Sequence, residues 1–119
     1  MEYSIEADAE FLRVKVSGRD TDRPPSEVCA AVFRESERLE RRRILVELDQ
    51  QFPLSSTSQY ALVSRLPEIG FTVNHRIALV HKTPEARKSN DFINTLAVNR
   101  GVNVRNFPVL HDAESWLRE

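Results

Sequence analysis

Two short apolar runs, Ile44-Leu45-Val46-Glu47-Leu48 and Ile77-Ala78-Leu79-Val80, constrain the fold of this chain more than any other feature. Neither run alternates between apolar and polar residues. Each therefore reads as a strand covered on both faces, the situation of a central strand in a parallel sheet. Parallel neighbours cannot be joined by a tight turn, so the intervening chain must cross back over the sheet, usually as a helix.

Helical patterns stand where that argument needs them. The first follows Pro24-Pro25, with Ser26 as the expected N-cap and Val28, Val32 and Leu39 as the apolar stripe, Ala31 and Phe33 beside them. Glu37 precedes Arg41 by four residues, the favourable order for an ion pair on a helix face. Glu35, Glu37 and Glu40 interleave with the arginines between Arg34 and Arg43, so that run reads as a solvated face rather than a basic docking surface. In the second helix Ser56 and Gln59 form a capping box, Leu62, Val63, Leu66 and Ile69 supply the buried stripe, and Pro67 and Gly70 close it. Thr83-Pro84-Glu85 opens a third, which carries Phe92, Ile93, Leu96 and Ala97 and stops at Gly101. Val102 to Arg105 alternates, as a strand near an edge does, and Asp112 is the expected cap of a last helix that holds Trp116 and Leu117 against the body.

Ahead of these, Tyr3 and Ile5 alternate with polar neighbours, and Phe11 to Val16 alternates again. Asp8-Ala9-Glu10 is the turn of the resulting hairpin. The predicted order is β-β-α-β-α-β-α-β-α: an α/β fold with a mixed, mostly parallel five-stranded sheet flanked by helices, the hairpin supplying the antiparallel edge.

Composition removes several functional classes. The 119 residues suit one domain, and 17 Lys+Arg against 18 Asp+Glu leave a net charge of -1, without the field that steers proteins to nucleic acid. No apolar run approaches the ~18 residues of a membrane helix, and no basic-then-apolar leader opens the sequence. Cys29 is the only cysteine, so there is no intrachain disulfide and no cysteine metal cluster. These features predict a soluble cytoplasmic protein. With glycines only at 18, 70 and 101, no phosphate-cradling fingerprint is present.

In open α/β sheets, ligands bind outside the carboxyl ends of the strands. That rule selects Asp49 to Ser58, His81 to Thr83 and Phe107 to His111. Ser55, Ser56, Thr57 and Ser58 gather at a helix start, where free N–H groups can hold an anion, a hydroxyl can be phosphorylated, or the residues simply cap. His81 ends a strand beside Lys82 and Thr83; with Asp49 to orient it and a serine as nucleophile it would form a hydrolytic triad, but no G-x-S-x-G elbow is present. His75 and His111 lie in other loops without metal-ligand spacing to His81. Cys29, next to Val28, reads as a small buried hydrophobe.

The stretches Thr83 to Arg87, Ala97 to Arg105 and Ala113 to Leu117 with Trp116 resemble the SpoIIAA-like family of bacterial STAS-type domains, and the likeness in element order extends over nearly the whole chain. The resemblance implies a single such domain over residues 1–119. Its fold would be that of anti-sigma-factor antagonists, which is also compared with the CRAL-TRIO lipid-binding fold. In the antagonists a strand leads into a segment like F-M-D-S-S-G-L whose serine is phosphorylated. The matching stretch runs from Phe52 to Ser58: Ser55 and Ser56 match, while Leu54 and Thr57 stand where the acid and the glycine belong.

Three functions are weighed on this basis. The first is a non-enzymatic regulatory or protein-binding module without cofactor or metal, contacting a protein partner or a second copy through Asp49, Ser55, Ser56, Thr57, Ser58, His81, Lys82 and Thr83. The second is carriage of a small apolar ligand or lipid, which requires an apolar cavity of several hundred cubic ångströms. The third is a serine hydrolase built on Ser55 or Ser56, His81 and Asp49.

Overall fold

A computed structural model describes residues 2–17, 25–49, 64–81 and 101–119. Within them lie strands β1 (Glu2–Ala7), β2 (Leu12–Ser17), β3 (Arg43–Asp49), β4 (Arg76–His81) and β5 (Asn103–Phe107). The helices are α1 (Pro25–Leu39), α2 (residues 64–69) and α3 (Leu110–Arg118). The strands form one sheet in the order β1-β2-β3-β4-β5, with β1 antiparallel to β2 and every other pair parallel. This is the mixed α/β sheet that the apolar runs predict, hairpin at one edge and β5 at the other. The predicted helix after Thr83 and the start of the one after Leu54 lie outside the described residues.

The hairpin turn is held by Asp8. Its Oδ1 accepts the N–H groups of Glu10 at 2.8 Å and Phe11 at 2.7 Å, and its N–H donates to the Phe11 carbonyl at 3.0 Å. Its Oδ2 accepts from Arg13 Nε at 2.5 Å. These donors, the Phe11 N–H foremost and Arg13 next, lower the Asp8 carboxyl from 3.8 to about 2.

The sheet has two unequal faces. Leu12, Val14 and Val16 of β2, Ile44 and Val46 of β3, and Ile77 and Leu79 of β4 pack under Val28 and Val32 of α1 and Leu66 of α2. On the reverse, Phe11, Leu45, Ala78 and Phe107 pack against Ala113 and Leu117 of α3, which lies over β3, β4 and β5. Leu45 and Ala78 face opposite to their neighbours in sequence, which is why both apolar runs are continuous.

Three local expectations are corrected. Helix α1 begins at Pro25, not after Ser26; proline suits the first helical position, where its missing N–H has no helical acceptor. Asp112 does not cap α3: Val109, in extended conformation, is the N-cap without a side-chain hydrogen bond, and Asp112 lies in the first turn, where its charge complements the helix dipole. Glu37 and Arg41 form no helical pair, because α1 has ended before Arg41. Glu40 there has a φ of 54°, Arg41 N–H donates to the Ser36 carbonyl at 2.9 Å, and Glu40 N–H reaches Glu37 O at 3.4 Å. This is a Schellman closure with glutamate where glycine is usual. Arg41 instead donates from Nε to the Asp8 carbonyl at 3.1 Å and from Nη1 to Leu39 O at 3.0 Å, tying the helix end to the hairpin turn.

Helix α2 also ends by a turn of this kind. Gly70, at φ 131°, and Phe71 both donate their N–H groups to the Leu66 carbonyl at 3.2 Å. Pro67 lies inside the helical residues, so Gly70 alone terminates them.

Candidate functional site

The parallel strands bring β2, β3 and β4 to one carboxyl edge, ending at Ser17, Asp49 and His81. The register pairs Ser17 with Asp49 and Leu48 with His81, so Asp49 stands one residue beyond the partner of His81 on the adjacent strand. Two of the predicted site residues therefore do lie together in the backbone, and Asp49 is exposed. Ser55, Ser56, Thr57, Ser58, Lys82 and Thr83 lie outside the described residues. The chain carrying the four hydroxyl residues leaves β3 at this edge, and Lys82-Thr83 leaves β4 there. The third loop selected by the rule, Phe107 to His111, leaves β5 at the same end, with His111 exposed in the first turn of α3 and Val109 49 % exposed before it.

The other titratable candidates are placed elsewhere. His75 precedes β4 and so lies at its amino end, some ~20 Å from His81 at about 3.3 Å per residue. It is 4 % exposed, ringed by Phe33 and Phe71 with centroids at 5.8 Å and 5.3 Å. Its Nδ1 accepts the Thr72 N–H at 3.2 Å, which puts the hydrogen of the neutral ring on Nε2. Among the described residues that buried Nε2 has no hydrogen-bond partner; Glu37 Oε1 lies 3.5 Å from it. Cys29 of α1 packs against the core, and burial pushes its thiol up to about 12, leaving it protonated and a poor nucleophile at neutral pH. Among the described residues no group of three or more His, Cys, Asp or Glu is placed to hold a metal ion, and no helix is long and apolar enough to cross a membrane.

A groove of about 560 Å³ opens at the opposite, amino end of the sheet, between the hairpin turn and the end of α1. Glu10, Glu37 and Glu40 share its wall with Arg41, Arg42 and Arg43, so it presents mixed charge rather than an apolar lining. Glu10 is held by Arg118 at 2.7 Å, and the same arginine reaches Glu114 at 3.3 Å, which fastens α3 to the hairpin. Sequence reading missed this groove and the burial of His75. The Asp8 turn and the Thr72-x-x-His75 spacing were the available signals, but each depends on elements that meet only in the folded chain.

No family model matches the sequence, and no curated protein is significantly similar to it.

Proposed function

We propose that this chain is a non-enzymatic regulatory domain of the STAS type that binds a protein partner through the carboxyl edge of its sheet. The observation that carries the reading is the β3–β4 register, which pairs Leu48 with His81 and sets Asp49 beside it. Two loops chosen from sequence for their chemistry thus depart from adjacent strands at the same end. Helix N-termini and free loop amides gather at such an edge in parallel sheets, which suits recognition of an acidic or phosphorylated group.

The test is affinity capture of the tagged chain from its native cell, with intact-mass measurement of what is retained. The expected result is a stoichiometric protein partner whose binding Ser55→Asp abolishes, with melting unchanged. Esterase or phosphatase turnover lost in both His81→Ala and Ser56→Ala would replace this reading with the hydrolase. Retention of an apolar small molecule instead of a protein would replace it with carriage.

A further inference from the structure

The groove at the amino end of the sheet supports an inference separate from the carboxyl-edge reading, because the two sites lie at opposite ends of the strands. Its charges divide into those the fold already uses and those it does not. Glu10 is taken up by Arg118, and Arg41 by the carbonyls of Asp8 and Leu39. Glu37 and Glu40, where α1 closes, and Arg42 and Arg43, where the chain enters β3, remain in the lining. All four are exposed, and among the described residues no ion pair joins either glutamate to either arginine. Opposite charges thus stand apart along one groove instead of neutralising each other.

Glu37 has a further neighbour. His75 is 4 % exposed, and its Nε2–H lies 3.5 Å from Glu37 Oε1 without a hydrogen bond to it or to any other acceptor among the described residues. A buried donor left without an acceptor is costly. A small movement of the Glu37 carboxylate closes the gap, and the neutral ring then holds that carboxylate in the groove wall without cancelling its charge.

We propose that this groove binds a short zwitterionic peptide with both ends free, its ammonium between Glu37 and Glu40 and its carboxylate at Arg42 and Arg43. The negative pole of α1 ends at the same place and favours the ammonium. Guanidinium groups match the planar carboxylate. A volume of about 560 Å³ is that of a small-ligand site. Because the two signs stand apart, a peptide unit spans them better than a free amino acid, which carries both charges on one carbon. His75 is a positioning residue, acting through Glu37.

The test follows amide and histidine-ring NMR spectra of the full chain titrated at low salt with dialanine. N-acetyl-dialanine, dialanine amide and free alanine are titrated beside it. Dialanine is expected to shift the amides of Ala9, Glu37, Glu40 and Arg43 and the ring nitrogens of His75, leaving Asp49 and His81 in place. Each capped form and free alanine is expected to bind roughly fivefold more weakly or worse, the upper worth of a partly exposed ion pair. Glu37→Gln with Glu40→Gln should remove the preference for a free ammonium, and Arg42→Gln with Arg43→Gln that for a free carboxylate. Melting should not change, since all four side chains are exposed. The proposal is overturned if dialanine moves no groove amide, if a capped form or alanine binds as tightly, or if the preferences survive the substitutions. Shifts gathered at Asp49 and His81 overturn it too, by assigning the peptide to the other end of the sheet. A His75 ring that stays unmoved while dialanine binds overturns its positioning role.

Discussion

Gly70 is the position where a single methyl group should do most damage. It combines two independent constraints: a φ of 131°, which side-chain-bearing residues rarely adopt, and the Phe33 ring lying over its Cα. A Cβ at this position would stand 2.8 Å from both Cε1 and Cε2 of Phe33 and would also overlap Cζ. The ring has little room to yield, since Phe71 packs edge-on against it at 5.2 Å and His75 at 5.8 Å. Backbone strain of this kind costs ~1–3 kcal/mol, and forcing extra volume into packed side chains costs ~1–3 kcal/mol more.

Gly70→Ala is therefore expected to destabilise the chain by ~2–6 kcal/mol, a large share of a domain's whole stability. At about 4 °C per kcal/mol for a chain of this length, melting should fall by roughly 10 °C or more. Gly101→Ala is the matched control, because Gly101 also has positive φ, at 73°, but among the described residues nothing lies within 4 Å of an added Cβ. It should lose only the ~1–2 kcal/mol of a left-handed residue. Urea denaturation of both variants and of Gly70→Ala combined with Phe33→Leu completes the measurement. If the ring is the obstacle, the double variant is more stable than the two single losses added together. Equal losses at Gly70 and Gly101, or strict additivity with Phe33→Leu, would refute the reasoning.

Asp8 predicts the acid limb. Its folded carboxyl is lowered to about 2 from 3.8, so its stabilising contribution is complete above the unfolded value and disappears as pH falls through the folded one. Asp8→Asn should flatten the stability profile in that window, measured by urea midpoints from neutral pH downward; an unchanged slope there would show that the turn does not depend on the charge. Ser36, 1 % exposed, donates its hydroxyl to the Arg41 carbonyl at 2.5 Å while accepting the Arg41 N–H on its own carbonyl. Ser36→Ala should cost ~1–3 kcal/mol in denaturant melts, because it leaves that carbonyl short of a donor, whereas a loss within error would mean that water replaces the hydroxyl.

The sheet was legible because burial writes itself into sequence periodicity. Ile44 to Val46 and Ile77 to Val80 are continuous because helices cover both sides of β3 and β4 there, and Asp8-Ala9-Glu10 announced its turn through a side chain that bonds its own backbone. Contacts between elements distant in sequence were not legible. The four-residue spacing of Glu37 and Arg41 suggests a pair, yet the Schellman turn at Glu40 redirects Arg41 to the hairpin and leaves Glu37 beside His75. The burial of His75 was equally hidden, since Phe33 comes from a helix more than forty residues upstream. Of the candidate site, the strand-end rule recovered the shared edge of Asp49 and His81, because that follows from parallel order alone.

The contrast between β2 and its neighbours shows how far the second layer of the fold extends. The steps from β2 to β3 and from β3 to β4 run in the same direction across the sheet, so crossovers of one hand must place α1 and α2 on the same face. Val28, Val32 and Leu66 share one cluster, as that requires. The reverse face receives α3, which reaches β3, β4 and β5. Among the described residues β2 is therefore covered on one side for most of its length, and it alternates: Leu12, Val14 and Val16 point inward, while Lys15 and Ser17 are exposed. Phe11, just before β2, is the exception that locates the limit of α3, being buried where Arg118 reaches across at 5.4 Å from its ring. Beyond that limit the register carries rows of polar side chains, Ser4-Lys15-Glu47 and Glu2-Ser17-Asp49. Among the described residues, alternation in β2 against continuity in β3 and β4 thus marks how far α3 extends over the reverse face.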